Sequence, residues 1–318
     1  MRNFENLFSE FSRSSVSKRT EGLVLLSAET PLRIYYGLSA QRNPRIAFLS
    51  RGKPPEIGST KAIRVSAVEE ATDAYWLFFD LLEQSASAVY FTLCDDLVAA
   101  LESSCTENEA SAIMCLKNRF TAWRKMFRQE RGLLSEEQVI GLLGELYFMD
   151  RFLIPEIGAT RAVKAWSGVD GTSKDFSDGS RWYEVKAASL GANSVKISSL
   201  AQLSSDVPGV LVVVRYETMS QGYGDPNCTV FRIFKRIMAS IEDDAVRADF
   251  LAKLVSYGFD VVQETEGKRY RVADMGFYKV DETFPIIREK DIRHRAIDKV
   301  TYCLLLNGID VHRFDGRL

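Results

Sequence analysis

The chain has 318 residues, of which 46% are hydrophobic and 26% are charged, as is typical of a folded globular protein. Its 41 basic and 43 acidic residues leave a formal net charge of −2, so no global basic field indicates a nucleic-acid partner, although a local patch could still bind phosphates. Five cysteines without CxxC spacing and only two histidines argue against a disulfide framework, a thiolate zinc site and histidine-dependent catalysis.

Residues 1–105 are predicted to form a β-rich N-terminal domain. Phe4, Leu7, Phe8 and Phe11 have the spacing of a short amphipathic helix. Short apolar runs broken by turn residues follow, which is typical of antiparallel strands. The polar N-terminus has no apolar signal segment, and nothing approaches a membrane span of about 20 apolar residues, so we expect a cytoplasmic protein without membrane contact.

The next predicted elements are helices. Ile113, Leu116, Phe120 and Trp123 recur at helical spacing and predict one buried stripe. A second helix is expected over about residues 136–153, ending near a proline.

The start of that second helix carries a capping signal. Ser135 is a plausible N-cap, and Gln138 three residues later completes the capping-box spacing.

A β-hairpin is predicted for residues 174–189, because Asp178 and Gly179 form a strong turn signal between two short apolar runs. Residues 195–203 are predicted as a short helix or a turn followed by a helix, and residues 209–217 as a strand buried on both faces. The order helix, hairpin, helix and strand predicts a mixed α/β core over residues 106–235.

Residues 236–318 are predicted to form a C-terminal α/β region packed on this core. Two helical patterns, at 229–242 and 245–259, lead into this region or lie in it. Strand-like runs follow at 268–280 and 299–311.

Four charged side chains form a candidate site: Glu145, Asp175, Glu184 and Lys186. Asp175 and Glu184 lie on opposite arms of the predicted hairpin, where facing side chains are about 5 Å apart, or about 7–8 Å on the diagonal. Two carboxylates at that distance repel unless a cation lies between them, and Mg²⁺ favours one or two carboxylates together with waters and phosphate oxygens. Lys186 shares a strand face with Glu184 and would reach the same point.

Glu145 is expected to approach the same site from the helix over residues 136–153. It follows Gly144, and a glycine inside a helix costs about 1 kcal/mol relative to alanine. Close packing of the helix on the sheet would explain that cost and would bring Glu145 towards the metal.

The segment DFSDGSRWYEVK, residues 175–186, resembles the D-x(n)-E-x-K signature of the PD-(D/E)XK nuclease superfamily. The motifs LSEEQVIGLLGELYFM, AWSG, YEVKA and ISSLAQL, in this order, resemble those of a bacterial family of PD-(D/E)XK motif proteins. The matching motifs span about residues 118–214, and a weaker likeness covers most of the chain. The proline of the superfamily name is absent, since Lys174 precedes Asp175.

The resemblance implies a restriction-endonuclease-like core, a mixed β-sheet flanked by helices in an α/β (α+β) fold. It implies that Asp175 and Glu184 bind the metal, that Lys186 is the catalytic lysine, and that Glu145 is a direct or water-mediated ligand. Gln202 matches a glutamine that supports the site or contacts DNA in some branches. The metal would be Mg²⁺, with Mn²⁺ as a substitute. Relatives are encoded beside methyltransferases and helicase-like ATPases in restriction or phage-defence clusters.

Other interpretations of the same residues remain open. Glu184 and Lys186 could be an exposed ion pair of little energetic value. Asp170 and Asp178 compete with Asp175, although both are better explained as turn residues. Residues around the site could bind DNA phosphates or form a solvated rim, and those proposed for DNA are Lys174, Arg181, Lys164, Lys196 and Ser198.

The expected function is metal-dependent hydrolysis of DNA by an endonuclease of a bacterial restriction or phage-defence system. The main alternative is a non-catalytic DNA-binding or scaffold subunit that retains the nuclease fold, and a nuclease acting on RNA or on repair structures shares the same chemistry. A homodimer would suit double-strand cleavage, with one site for each strand.

Overall fold

The computed structural model describes residues 4–13, 22–71, 73–102, 108–126, 134–168, 172–220, 229–259, 268–294, 296–297 and 299–316. They divide into two compact units, one formed by the described residues up to 126 and one by those from 134 onward. This division differs from the three predicted domains. The boundary expected at residue 105 separates two helices that pack together, and the boundary expected at 235 falls inside a helix.

The first unit is a five-stranded antiparallel sheet with three helices. Its elements are α1 (Phe4–Arg13), β1 (Leu23–Ser27), β2 (Arg33–Leu38), β3 (Pro44–Arg51), β4 (Ile63–Ala71), β5 (Ala74–Leu81), α2 (Ser87–Glu102) and α3 (Glu109–Met126). The strands lie in the order β1-β2-β3-β5-β4. The predicted β-rich region is therefore present, and it is completed by the helices that follow it.

The three helices contact one face of this sheet. Phe8 of α1 lies 5.6 Å from the ring of Tyr36, and Phe120 of α3 lies 5.1 Å from the ring of Phe79. The hydroxyl of Tyr90, on α2, donates a hydrogen bond to the Phe79 carbonyl at 2.7 Å. The predicted apolar stripe is confirmed, with its four members buried: Ile113, Leu116, Phe120 and Trp123.

The second unit contains a mixed five-stranded sheet and a separate two-stranded one. Its elements are α4 (Glu136–Phe148), α5 (Ile154–Ile157), α6 (Ala159–Ala165), β6 (Phe176–Ser177), β7 (Trp182–Ser189), β8 (Ser194–Ile197), β9 (Gly209–Met219), α7 (Val230–Ser240), α8 (Asp244–Tyr257), β10 (Arg269–Val280), β11 (Tyr302–Leu305), α9 (Leu306–Ile309) and β12 (Arg313–Phe314). The larger sheet has the order β12-β10-β9-β7-β6, with β7 and β9 parallel and the other neighbours antiparallel. This α+β architecture matches the expected fold class.

Helix α4 begins as predicted, and the helical backbone continues beyond it to the predicted end at about residue 153. The Ser135 side chain accepts from the backbone of Gln138, and the Gln138 side chain accepts from the Ser135 backbone, which completes the capping box. The α-helical pattern stops at Phe148, and one π-helical turn occupies Met149–Leu153. Such turns are rare and have no simple periodic signature in the sequence.

Two further predictions were wrong in detail. The segment predicted as a short helix or turn-helix over 195–203 begins in strand β8, and its helical part is limited to a 3₁₀ turn at Leu200–Gln202. Val195 and Ile197 are buried on alternate positions because β8 pairs with β11. The strand predicted over 299–311 is limited to β11, because a helical turn with Gly308 begins directly after it.

The two faces of strand β7 contact different parts of the second unit. Gly144 of α4 packs against its Val185 and Ala187, which lie on one face. Alternation puts Trp182, Glu184, Lys186 and Ala188 on the other face. On that face, Trp182 and Ala188 belong to a buried apolar cluster that includes residues of β8, β9 and β11.

No described helix is long and apolar enough to cross a membrane.

Candidate active site

The predicted hairpin forms and aligns the two candidate metal ligands. Phe176 pairs with Tyr183 and Ser177 with Trp182, so the same register puts Asp175 opposite Glu184. Asp178 accepts hydrogen bonds from the Ser180 and Arg181 backbone, which makes it the turn residue. Its competitor Asp170 lies outside the described residues.

Glu184 is a fully buried carboxylate beside a lysine. Its side chain has no solvent exposure, and its Oε1 lies 2.7 Å from the Nζ of Lys186. Among the described residues, neither Glu184 oxygen accepts a well-directed hydrogen bond, so the contact with Lys186 is an ion pair. Burial, and then the charge of Asp175, raise the pKa of Glu184 to about 8 against the opposing effect of Lys186. A buried oxygen without a donor has room in its hydrogen-bonding capacity for a bound ion or a water.

Asp175 is held by the backbone of β7. The Val185 N–H donates to its Oδ2 at 2.7 Å. Ser167 and Gly168 donate their backbone N–H groups to the Asp175 carbonyl at 2.9 and 3.0 Å, and a Cβ at Gly168 would lie 3.0 Å from Oδ1. Burial raises the pKa of Asp175, while the Val185 hydrogen bond and the charge of Lys186 lower it. Residue 168 can approach Asp175 this closely because it has no side chain.

Glu145 is placed differently from the other two carboxylates. Its Oε2 accepts from the indole Nε1 of Trp166 at 2.7 Å, and its Oε1 accepts from the hydroxyl of Tyr257 at 3.3 Å. Helix α4 packs on the Val185 face of β7, opposite the face that carries Glu184. Burial, then the charges of Asp175 and Glu184, raise the pKa of Glu145 well above its usual value. Glu145 is therefore close enough to feel both charges, but its oxygens are already engaged.

Replacing Tyr257 by phenylalanine should weaken the site without unfolding the protein. The change removes one donor from Glu145, and a hydrogen bond of this kind contributes about 0.5–1.5 kcal/mol. We expect divalent-metal affinity and cleavage rate to fall by about 10-fold. Mn²⁺ titration by calorimetry would measure the effect, and Tyr216→Phe on β9 is the control. Equal metal affinity in the Tyr257 and Tyr216 variants would contradict this role.

Gly144 lets α4 approach the sheet, as the sequence suggested. A Cβ built there would lie 3.1 Å from the Ala187 Cβ and 3.5 Å from Cγ1 of Val185. These distances leave no room for a branched side chain, so the helix packs closely only because residue 144 has none.

A Gly144→Val variant should therefore destabilise the protein by about 1–3 kcal/mol through overpacking. Gly191→Val is the matched control, because a Cβ at Gly191 meets nothing within 4 Å. Thermal unfolding of both variants tests the expectation. An equal change in melting temperature for the two would show that the close helix–strand approach is not the cause.

The Lys174 ammonium is hydrogen-bonded to backbone carbonyls of the protein. Its Nζ donates to the carbonyls of Ala201, Gln202 and Ser204 at 2.7, 2.7 and 3.0 Å and lies 3.8 Å above the Trp182 ring. Burial lowers the pKa of Lys174 to about 8, although the charges of Glu184 and Asp175 act against this. Since an ammonium has three donors, the geometry gives Lys174 a structural role and does not present it to DNA.

The other residues predicted to support the site or to bind DNA differ in their contacts and exposure. The Gln202 Oε1 accepts from the Ser198 backbone N–H at 2.7 Å, which fixes the turn after β8. Lys164, Lys196 and Ser198 are exposed, and Arg181 is half-buried beside the Asp178 turn. The three exposed residues are open to solvent, whereas the Arg181 side chain is hydrogen-bonded to Tyr183.

Two carboxylates, rather than three, make up the candidate metal site. Within the described parts of the chain, no group of three or more His, Cys, Asp or Glu side chains is arranged to hold a metal ion. Asp175 and Glu184 nevertheless fit Mg²⁺, which binds through one or two carboxylates and keeps water ligands. The buried Glu184 oxygen without a donor is the observation that favours such an ion.

Sequence reasoning missed three residues that support the site. Trp166 and Tyr257 hold Glu145, and the buried Lys253 of α8 donates to the carbonyls of Val163 and Trp166 at 2.8 and 2.7 Å. Tyr257 is 112 positions from Glu145. No local pattern links residues so far apart, so only the fold could reveal them.

A family model described as "Putative PD-(D/E)XK family member, (DUF4420)" matches residues 4–307. The chain belongs to the DUF4420 family. The match spans both compact units, so DUF4420 covers the N-terminal sheet as well as the nuclease-like unit. No curated protein and no solved structure gives a match.

Proposed function

We propose that this DUF4420 protein is a metal-dependent deoxyribonuclease whose centre is Asp175, Glu184 and Lys186. The observation that carries the proposal is Glu184, a fully buried carboxylate whose Oε2 has no donor among the described residues, paired with Lys186 at 2.7 Å and opposite Asp175. Burying such a carboxylate is costly, and proteins accept that cost mainly at functional sites.

Asp175 and Glu184 would hold Mg²⁺ or Mn²⁺. Such an ion, when bound, polarises the scissile phosphate and lowers the pKa of the attacking water. Cation binding favours the ionised form of Glu184, whose pKa is otherwise raised to about 8.

Lys186 would act directly on the reacting groups. Its side chain is 18% exposed, so its ammonium can reach both Glu184 and a phosphate at the surface. There it orients the attacking water or donates to the phosphate oxygen on which negative charge develops. Glu145 acts through its hydrogen-bonded network with Trp166 and Tyr257, beside the two ligands.

The activity test uses purified protein with Mg²⁺ or Mn²⁺ and with supercoiled, linear and single-stranded DNA. The wild type should cleave at least one substrate, EDTA should stop cleavage, and Asp175→Ala should be inactive. Asp206→Ala, at an exposed position, is the control. Cleavage by the Asp175 variant at the wild-type rate would show that another group, or a contaminant, does the chemistry.

A role in a restriction or phage-defence system is part of the proposal, with DNA as substrate and a methyltransferase or helicase-like ATPase as partners. The family assignment and the nuclease-like site support it. Adding such a partner protein should raise the cleavage rate if the proposal holds, and a lack of any effect on rate or on site choice would count against it.

A non-catalytic scaffold is the second candidate, because Glu145 is engaged by Trp166 and Tyr257 and three carboxylates do not converge in the described chain. Calorimetry separates the two functions. A scaffold would show no Mn²⁺ binding that depends on Asp175 and Glu184, whereas a nuclease would lose its Mn²⁺ signal in Asp175→Ala.

A further inference from the structure

Lys174 joins three segments of the second unit beside the candidate metal site. Its ammonium donates to three backbone carbonyls of the turn at residues 201–204. Its own backbone carbonyl accepts from the hydroxyl groups of Ser167 at 3.2 Å and Thr172 at 2.8 Å. Both ends of Lys174 are therefore fixed, and Asp175 follows it directly in the chain.

The Trp182 ring forms a platform for this ammonium. The Lys174 Nζ lies 3.8 Å from the ring centroid, which is within the range of a cation–π contact. The ring also lies directly against Gly209 of β9, where a Cβ would be only 1.9 Å from its Cε2. Its Nε1 donates to the Val207 carbonyl at 3.0 Å. The ring is thus buried and held by its neighbours, so the cation rests against a fixed surface.

This contact links the two arms of the hairpin that carry the candidate ligands. Lys174 directly precedes Asp175 on one arm. On the other arm, Trp182 lies two residues before Glu184, on the same face of β7. Strand β6 pairs with β7 through Phe176–Ser177, and a ladder of two residues contributes little stability by itself. The contact between Lys174 and Trp182 therefore adds a second constraint on how far apart the two carboxylates lie.

The charge of Lys174 does not by itself explain a lysine at this position. The ammonium is close enough for the charges of Asp175 and Glu184 to act on it. A positive charge there would repel a divalent cation bound by the same carboxylates. A lysine is useful beside such a site only if the order it imposes outweighs that repulsion.

We propose that Lys174 is a positioning residue, which keeps Asp175 opposite Glu184. Its ammonium anchors the Asp175 arm of the hairpin to the Trp182 ring and to the carbonyls of residues 201–204. That the two carboxylates bind a metal rests on the proposed function, whereas the placement of Asp175 is a property of the fold and can be measured without a metal.

Hydrogen exchange of the Val185 amide, followed by NMR in EDTA, measures that placement. The Val185 N–H donates to Oδ2 of Asp175 at 2.7 Å, so its exchange is slowed while the carboxylate is in place. Asp175→Ala gives the rate without the acceptor, and the buried amides of β9 correct for any change in global stability. Lys174→Met should speed Val185 exchange by about 10-fold, as expected from losing a cation–π contact and the accompanying hydrogen bonds.

Two further variants separate the ammonium from the bulk of the side chain. Lys174→Arg keeps a cation that donates hydrogen bonds and stacks on aromatic rings, so it should retain the slow Val185 exchange. Lys235→Met is the matched control, because Lys235 of α7 also lies above an aromatic ring, 5.9 Å from the Phe231 centroid, and is not part of the hairpin. It should exchange like the wild type. If Lys174→Met does not fold, Lys174→Gln is measured in its place and should also speed exchange.

Calorimetric titration with Mn²⁺ gives a second readout with a decisive sign. Loss of the Lys174 charge alone should strengthen Mn²⁺ binding, because like charges repel. Loss of a group that orients a metal ligand should weaken it by about 10-fold. We expect weaker binding in Lys174→Met and an affinity near that of the wild type in Lys174→Arg.

The two readouts distinguish this proposal from the nuclease proposal. Wild-type Val185 exchange in Lys174→Met, or tighter Mn²⁺ binding by that variant, overturns the positioning role and leaves the nuclease proposal standing. If the wild type binds no Mn²⁺ while Lys174→Met still speeds Val185 exchange, the nuclease proposal fails and the placement of Asp175 by Lys174 stands.

Discussion

Replacing Lys186 by methionine should lower the rate of metal-dependent DNA cleavage by about 10²–10⁴-fold, the range typical of losing a general acid–base group or a charge-stabilising donor. Methionine keeps most of the volume of the lysine stem and removes the ammonium that lies 2.7 Å from Glu184. Because the Lys186 side chain is only 18% exposed, a cation from solution cannot readily replace the lost ammonium beside Glu184.

Single-turnover cleavage with saturating Mn²⁺ isolates this effect from DNA binding. Lys279→Met is the control, since Lys279 is an exposed lysine on β10 in the same unit. The expected result is near-complete loss in the first variant and a rate within about twofold of wild type in the second, as for surface substitutions away from a site. A Lys186 variant that cleaves at the control rate would remove this residue from the mechanism.

The second large effect concerns stability. Glu184 has a pKa of about 8 in the folded protein against 4.5 in its ordinary state, so the folded form holds a proton that the unfolded chain has released. Stability therefore falls as pH rises from about 4.5 to 8, because the unfolded state binds fewer protons throughout that window. The raised pKa makes an ionised Glu184 a cost to the fold, on the order of a few kcal/mol at pH 8.

Glu184→Gln should remove the part of this pH dependence that Glu184 contributes, while Asp175 and Glu145, whose pKa values are also raised, keep theirs. We expect the variant to melt several degrees above the wild type at pH 8 without divalent metal, and the difference to shrink towards pH 4.5. Mn²⁺ should raise the wild-type melting temperature at pH 8 and leave the variant unchanged, because ligand binding to the folded state stabilises it.

Glu217→Gln is the control, because that carboxylate forms an exposed ion pair with Arg271 on the sheet surface. It should show no comparable gain at pH 8. If both variants follow the wild-type curve across the pH range, Glu184 does not carry a shifted proton and its burial must be compensated in another way.

Local sequence patterns predicted several elements of this fold correctly. The hairpin, the capping box at Ser135 and the buried stripe of α3 follow from turn chemistry and helical period, and Gly144 marked a close helix–strand contact. The opposition of Asp175 and Glu184 followed from the position of one Asp-Gly turn.

What the sequence could not supply depends on contacts between distant segments. Lys174 looked like a solvent-facing cation beside the site, but three carbonyls that are 27 to 30 residues away hold it. Glu145 was expected to be a direct or water-mediated ligand, and no local pattern indicated that Trp166 and Tyr257 would donate hydrogen bonds to its two oxygens. Periodicity assigns a face to a side chain and does not say which donors the fold brings to it.

The order of strands in the second sheet determines how much of the chain must be synthesised before that sheet can be completed. Strand β9 lies between β7 and β10, and β10 begins only at Arg269, whereas the described part of the first unit ends at residue 126. The first unit can therefore fold while the ribosome is still translating, but the buried valines of β9 keep an open edge until residue 280 has emerged. Protease digestion of stalled nascent chains would reveal this delay as a protected first unit and a cleaved second one. The candidate site thus lies in a sheet that remains incomplete until β10 has been synthesised.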